Sequence, residues 1–375
     1  MKKIKIIAGD IMLGRPLPWS IYDDQERMLL DRGQVITGDA RLETLIARGI
    51  YRIDSVKKKI NLEKFQITRA SNPFDVLDEF SLKLKQVFDG LRECRDSAYN
   101  TLTALADGIQ QLCDRYPDAT LGAVQLRHSQ EYCVYHSIYI AVLCEMIAKR
   151  MRIPIEERSS ILCAALVCNI GMLELQQALC EQEDPPSDEQ RKAILNHSGK
   201  GVLILEQAEI DDEMMVTIVH QHHEKTDGTG YPKGLYGDDI LLGSRILALS
   251  DRYSAMISPR KTRKGMHAQK ALRELFSNLD KGYDKDLSLL FIKELGIYPP
   301  GSFVRLVNGE TAIVLRRENE ANGTGTLVQS FADIDGNDYL SLAKRDCSFA
   351  EYAIKEAYVP NETPTYNLSM LWART

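Results

Sequence analysis

The chain has 375 residues, more than one typical core organises, so two or three domains are expected. Its 47 basic and 53 acidic residues leave a formal net charge of -6, with neither sign gathered into long blocks, which argues against a nucleic-acid surface. Eight cysteines without a C-x-x-C pair, several of them inside apolar helical patterns, argue against a disulfide framework and read as reduced thiols.

In chain order, MKKIKIIAGDIMLG has no sustained apolar core or small-residue cleavage site and reads as a strand rather than a leader. Residues 1–54 alternate in short runs and end in the helical pattern DARLETLIARGIY, with Asp39 as candidate cap, so a small β-rich module is expected. Residues 55–73 are polar and basic and read as a linker. Residues 74–115 keep apolar side chains at spacings of three and four, which predicts one long amphipathic helix or two in series, suited to a homodimer or to signalling. Residues 116–298 hold several helical patterns with short breaks, an all-α domain. Its longest apolar stretch, ILCAALVCNIGMLEL at 161–175, is shorter than the roughly 18 residues of a membrane span and contains Asn169. No membrane helix and a cytoplasmic location are therefore expected. Residues 299–360 read as hairpins with turns at Asn308-Gly309 and Asp335-Gly336, and 361–375 as a tail. The expected fold is mainly α, a helical bundle with small β-rich modules at both ends.

Candidate metal ligands are spread over several helical segments: His136, His197, the neighbours His222 and His223, and Asp251. Helical bundles build metal sites from imidazoles and carboxylates on separate helices. Adjacent side chains on a helix point about 100° apart, so His222 and His223 suit one ion only if the helix ends there, as the following glycines allow. A lone histidine on a helix is more often a packed or surface residue, and His128, His220 and His267 are read that way.

HHEKTDGTGYPKGL, with SRILALSDRYSAM downstream, closely resembles the HD-GYP family, a branch of the HD superfamily of metal-dependent phosphohydrolases. The resemblance covers roughly residues 125–298. YHSIYIAVLCEMIA resembles the helix of the first histidine, and NHSGKGVLILEQ the H-P-x-x-G helix, with Ser198 in place of proline. It implies an HD-superfamily bundle, a place in bacterial cyclic di-GMP signalling, and a centre of two or three metals, often iron or manganese. Two-metal hydrolysis needs a ligand shared by both ions. In the family this is the aspartate of a segment that usually reads H-D-I-G-K.

Here the segment reads CNIGM: Cys168 replaces the histidine, Asn169 the bridging aspartate and Met172 a phosphate-binding lysine. An uncharged amide is a poor bridge between divalent cations, a thiol in this apolar context packs as a small hydrophobe, and a thioether offers phosphate no charge. By family position the first metal keeps only His136 and Asp251 and is expected to be absent. The second keeps His197, His222 and His223, a set for one divalent ion, iron, manganese or zinc, although a metal-free protein is also open. Asp227, Gly228, Gly230, Tyr231 and Pro232 match the GYP loop, and Arg260, Lys261, Arg263 and Lys264 lie where the family binds ligand phosphates. Thr262 and Ser254 depart from the tyrosine and aspartate common there. Glu224 is expected to partner a ligating histidine or to form a helix-end salt bridge.

Three readings follow. The favoured one is a catalytically impaired regulator that binds cyclic di-GMP, a related nucleotide or protein partners. The second is a weak metal-dependent cyclic di-GMP phosphodiesterase working from the three-histidine site. The third is a pure interaction module for partners such as diguanylate cyclase-type proteins.

Overall fold

The computed structural model describes residues 2–6, 11, 13–14, 17, 21–25, 27–30, 34–54, 67–68, 71–126, 131–261, 263–277, 282–318, 324–360 and 371–372. Residues 55–66 and 69–70 of the expected linker at 55–73, His128 and Thr262 lie outside them. The chain divides into two compact units, 1–62 and 63–375.

In the first unit, β1 (Lys2–Lys5), β2 (Ile21–Tyr22), β3 (Met28–Leu30) and β4 (Tyr51–Asp54) form an antiparallel sheet in the order β1-β4-β2-β3. Helix α1 (Asp39–Ala47) precedes β4, and its N-cap is Gly38 rather than Asp39, with no side-chain cap bond. Ile6, Ile21, Ile36, Leu42 and Ile50 form a small core of their own.

The second unit is mainly α. The 74–115 pattern becomes two helices, α2 (Pro73–Arg92) and α3 (Ser97–Arg115). The Asn72 carboxamide caps the first by accepting from Phe74 N at 3.0 Å, and Pro73 starts it where no N–H is needed. The turn between them takes Cys94 to φ 55°. A Cβ on Gly90 would lie 2.9 Å from the Ala98 Cβ, so this glycine lets the pair close up. Both helices bury their apolar faces in the same core as the rest of the bundle.

Helices α4 (Pro117–Leu126), α5 (Tyr132–Arg150), α6 (Ile155–Val167), α7 (Leu173–Glu181), α8 (Asp188–Gln207), α9 (Glu213–Gln221), α10 (Leu242–Ile257), α11 (Ala268–Ser277) and α12 (Lys285–Leu295) complete the bundle. Every residue of α5 from Tyr132 to Ala148 is buried, so it is the central helix, enclosed on all sides. The apolar run extends over Ile155–Glu181, long and apolar enough to cross a membrane, but 72% of its most apolar window is buried inside the protein. It is divided into α6, a 3-10 turn at Ile170–Met172 and α7, all packed on the bundle.

Strands β5 (Phe303–Leu306), β6 (Thr311–Arg316), β7 (Leu327–Ala332), β8 (Asp338–Asp346) and β9 (Ile354–Ala357) form an antiparallel sheet in the order β8-β7-β6-β5-β9. Gly309 at φ 91° and Gly336 at φ 84° supply the left-handed backbone of the β5–β6 and β7–β8 turns. The sheet is not independent of the bundle: Ile313 and Leu315 belong to the helical core, while Val304, Leu306, Val314 and Val328 form a satellite. Trp372, in the stretch expected to be a tail, is buried. Its Nε1 donates to Leu315 O at 2.8 Å, and its ring lies 5.6 Å from that of Phe74.

Candidate metal centre

Helix α9 ends at Gln221, with His222 as its C-cap at φ -65° and ψ -9°, and the rings of His222 and His223 approach to 4.1 Å between centroids. From α8, His197 joins them, fully buried. A Cβ on Gly171 would sit 2.2 Å from the His197 carbonyl oxygen, so this glycine allows the 3-10 turn to press against α8 beside that histidine. One ligand atom from each of the three histidines lies within 4.8 Å of the others.

The hydrogen bonds decide which nitrogens face inward. His197 Nδ1 bonds Ile194 O, and His222 Nδ1 bonds Val219 O at 2.7 Å. A carbonyl only accepts, so each Nδ1 carries the proton and each Nε2 of the neutral ring keeps a lone pair. These two Nε2 atoms are 3.1 Å apart. Two lone pairs facing each other in a buried space repel unless a cation or proton lies between them, so the donor set fits a divalent ion. Burial holds His222 well below the usual imidazole range, aided by His223 and His197. It takes His223 down to about 4 against the opposing Asp251 charge. His197 is also lowered by burial, against its Ile194 bond and Asp251. All three are therefore neutral near pH 7, the form that ligates.

His136 takes a different place. Its Nε2 lies 2.9 Å from Asp251 Oδ1 on α10, and its Nδ1 3.0 Å from Ser254 Oγ, so both ring nitrogens are engaged within the protein. Burial alone would raise the Asp251 carboxyl, but the His136 bond and the His136, His223 and His222 rings hold it well below the carboxylate range. Asp251 thus couples His136 electrostatically to the three-histidine group, which His136 does not join.

Cys168 is fully buried and its thiol bonds Ala165 O at 3.4 Å. Burial pushes that thiol well above its ordinary value, with Asp251 and Cys144 adding to the effect, so it stays protonated. Asn169 is buried and Met172 half-buried, the two joined by a Met172 N to Asn169 O bond of 2.9 Å. From α2, Arg92 donates to Ile170 O at 3.3 Å and pairs with Glu174.

The loop after His223 doubles back over the site. Glu224 is buried and accepts from Lys233 N at 2.6 Å and Leu235 N at 3.0 Å. It is a clamp on the loop rather than the histidine partner or helix-end salt bridge expected. A Cβ on Gly230 would lie 2.3 Å from Lys225 N, and Gly228 has φ 77°. Tyr231 N donates to His223 O at 3.1 Å and its ring stacks on His223, 4.7 Å between centroids. Asp227 uses its exposed carboxylate in the turn, accepting from Thr229 N at 2.9 Å and Thr229 Oγ1 at 2.7 Å, and Pro232 is exposed. Arg260 lies over Tyr132, whereas Arg263 is exposed and bonds back to Ala255 O at 2.6 Å. His220 and His267 lie outside the three-histidine group. Tyr132 and the His136–Ser254 bond were missed from sequence. An aromatic four residues before His136 was the available signal for the first.

Residues 110–287 match the family model described as HD domain. The chain is 30% identical to a cyclic di-GMP phosphodiesterase of Pseudomonas aeruginosa, over 58% of this chain and 52% of that protein. It is also 30% identical to a 3'3'-cGAMP-specific phosphodiesterase of Vibrio cholerae, over 45% and 36% respectively. A cyclic di-GMP phosphodiesterase of Borreliella burgdorferi is 26% identical, over 50% and 49%. The chain thus spans about half the length or less of these relatives. Among solved structures, an HDG"Y"P protein from Bdellovibrio bacteriovorus shares the fold, with a TM-score of 0.52, 18% identity, and coverage of 78% of this chain and 99% of that one.

Proposed function

We propose, from the match of residues 110–287 to an HD domain, that this is a cytoplasmic, catalytically impaired HD-GYP regulator that binds cyclic di-GMP or a closely related cyclic dinucleotide beside a one-metal centre. The observation that carries the reading is the divided site. His197, His222 and His223 converge, whereas His136 bonds Asp251 and Ser254, and the position matching a bridging aspartate holds the buried, uncharged Asn169. Iron, manganese or zinc at the three imidazoles would polarise a phosphoryl oxygen. Cys168, protonated and bonded to Ala165 O, adds no charge to the position beside His136 and Asp251. Tyr231 stacks on His223, and Glu224 holds the loop that carries it. A slow phosphodiesterase is the second reading, favoured by the same inward set of lone pairs.

The test is incubation of the manganese- or iron-loaded protein with cyclic di-GMP, followed by chromatography and counting of turnovers per chain. Retention of intact nucleotide on the protein supports the regulator. Linear dinucleotide or GMP beyond one equivalent would overturn it in favour of the enzyme, provided that His222→Ala abolishes the product.

A further inference from the structure

Helix α2 lies before the matched residues 110–287, yet a polar stripe along it reaches both halves of the divided site. Asp78, Lys85 and Arg92 recur every seven residues, two turns apart, and so share one face of the helix. Asp78 accepts from the hydroxyl of Tyr135, the neighbour of His136 in α5, at 2.7 Å. Lys85 pairs with Glu131, the N-cap of α5. Arg92 reaches the Ile170–Met172 turn and the start of α7. Its guanidinium forks onto both oxygens of Glu174, Nη2 to Oε2 at 3.0 Å, and the same Nη2 donates to Ile170 O at 3.3 Å. The Arg92 bond also holds the Glu174 carboxyl below the usual carboxylate range.

An arginine–glutamate pair as exposed as this one stabilises little by itself. Its consequence comes from the turn it grips. A Cβ on Gly171 would lie 2.2 Å from His197 O and 2.8 Å from Gly201 N, so the turn and α8 meet backbone to backbone at the histidine. No side chain lies between them to absorb a displacement, and close-packed interiors pass such shifts on. We propose that Arg92 is a positioning residue of the metal centre, pinning the Ile170–Met172 turn against α8 so that His197 keeps its place opposite His222. The proposal rests on the one-metal reading above and adds its regulation: the position of α2 sets the affinity of the three imidazoles for their ion.

The experiment strips the full chain of metal and titrates it with cobalt(II) alone against a competing chelator, reading affinity together with the visible spectrum, which reports the geometry of the ligands. About tenfold weaker binding and an altered spectrum are expected for Arg92→Met, the size of effect that the outer partners of metal ligands have. Arg92→Lys keeps a cation for Glu174 without the fork and should fall between, which keeps the test valid if the methionine variant misfolds. Lys83→Met, on the same helix but outside the stripe, should bind cobalt as the unsubstituted chain does. Because Arg92 acts through His197, Arg92→Met should weaken binding no further in a His197→Ala background. Equal affinity in both Arg92 variants and the unsubstituted chain, a loss that persists in the His197→Ala background, or an equal loss in Lys83→Met would overturn the inference and leave the one-metal reading in place. No cobalt bound by the unsubstituted chain would overturn both.

Discussion

Two neighbouring imidazoles serve one ion only where the helix ends beside them, and α9 stops at Gln221 with His222 as its C-cap. His222, His223 and His197 were therefore legible from sequence as a set, since the glycines after them signal the helix end. The bonds of His136 were not. Its partners Asp251 and Ser254 lie 115 and 118 residues away, and only packing selects a partner at that separation. The same holds for Glu224, whose two backbone partners appear once the loop has doubled back. Cys168 and Asn169 define the prediction at this scale. Restoring Cys168→His with Asn169→Asp should raise iron or manganese from about one to about two ions per chain, because the pair returns a shared ligand. Elemental analysis after reconstitution reads the ratio directly. A ratio held at one would show that the helices around position 169 do not present a metal position beside His136 and Asp251.

At the scale of elements, α5 and α6 pack through an ion pair as well as apolar side chains. Glu145 is fully buried, with one oxygen bonded to Arg158. Burial pushes its carboxyl up to about 7, against the opposing Arg158 charge. A carboxyl raised above its unfolded value of 4.5 stabilises the fold fully below that pH, and the contribution is lost as pH rises through about 7. Arg158→Met removes the cation that offsets the buried charge. It should cost about 3 kcal/mol at pH 8, with the gap narrowing toward pH 5, where Glu145 is neutral. Urea unfolding at the two pH values measures this, and a gap independent of pH would refute it. The helices themselves were readable from their apolar spacing, as were the hairpin turns at Asn308-Gly309 and Asp335-Gly336. The break between α2 and α3 was not, because RECRDS carries neither proline nor glycine and the turn depends on Cys94 adopting φ 55°.

At the scale of the second unit, the bundle and its sheet share a core closed by the end of the chain. A Cβ on Gly122 of α4 would lie 2.5 Å from the Trp372 ring, which also meets Phe74 of α2 and the Leu315 carbonyl of β6. Trp372→Ala should destabilise the unit by about 3 kcal/mol. Chemical denaturation followed by circular dichroism checks this, and a loss below about 1 kcal/mol would show that the contact is peripheral. The order of helices, the mainly α character, the three-histidine set and the uncharged side chains at 168, 169 and 172 were determined by the sequence alone, because periodicity, helix-end signals and side-chain chemistry are local properties. The shared core of bundle and sheet, the burial of Trp372, the His136–Asp251 pair and the stack of Arg260 on Tyr132 were decided only by the tertiary structure. Each joins residues far apart in the chain, and such contacts are chosen by how the elements pack rather than by anything either segment carries alone.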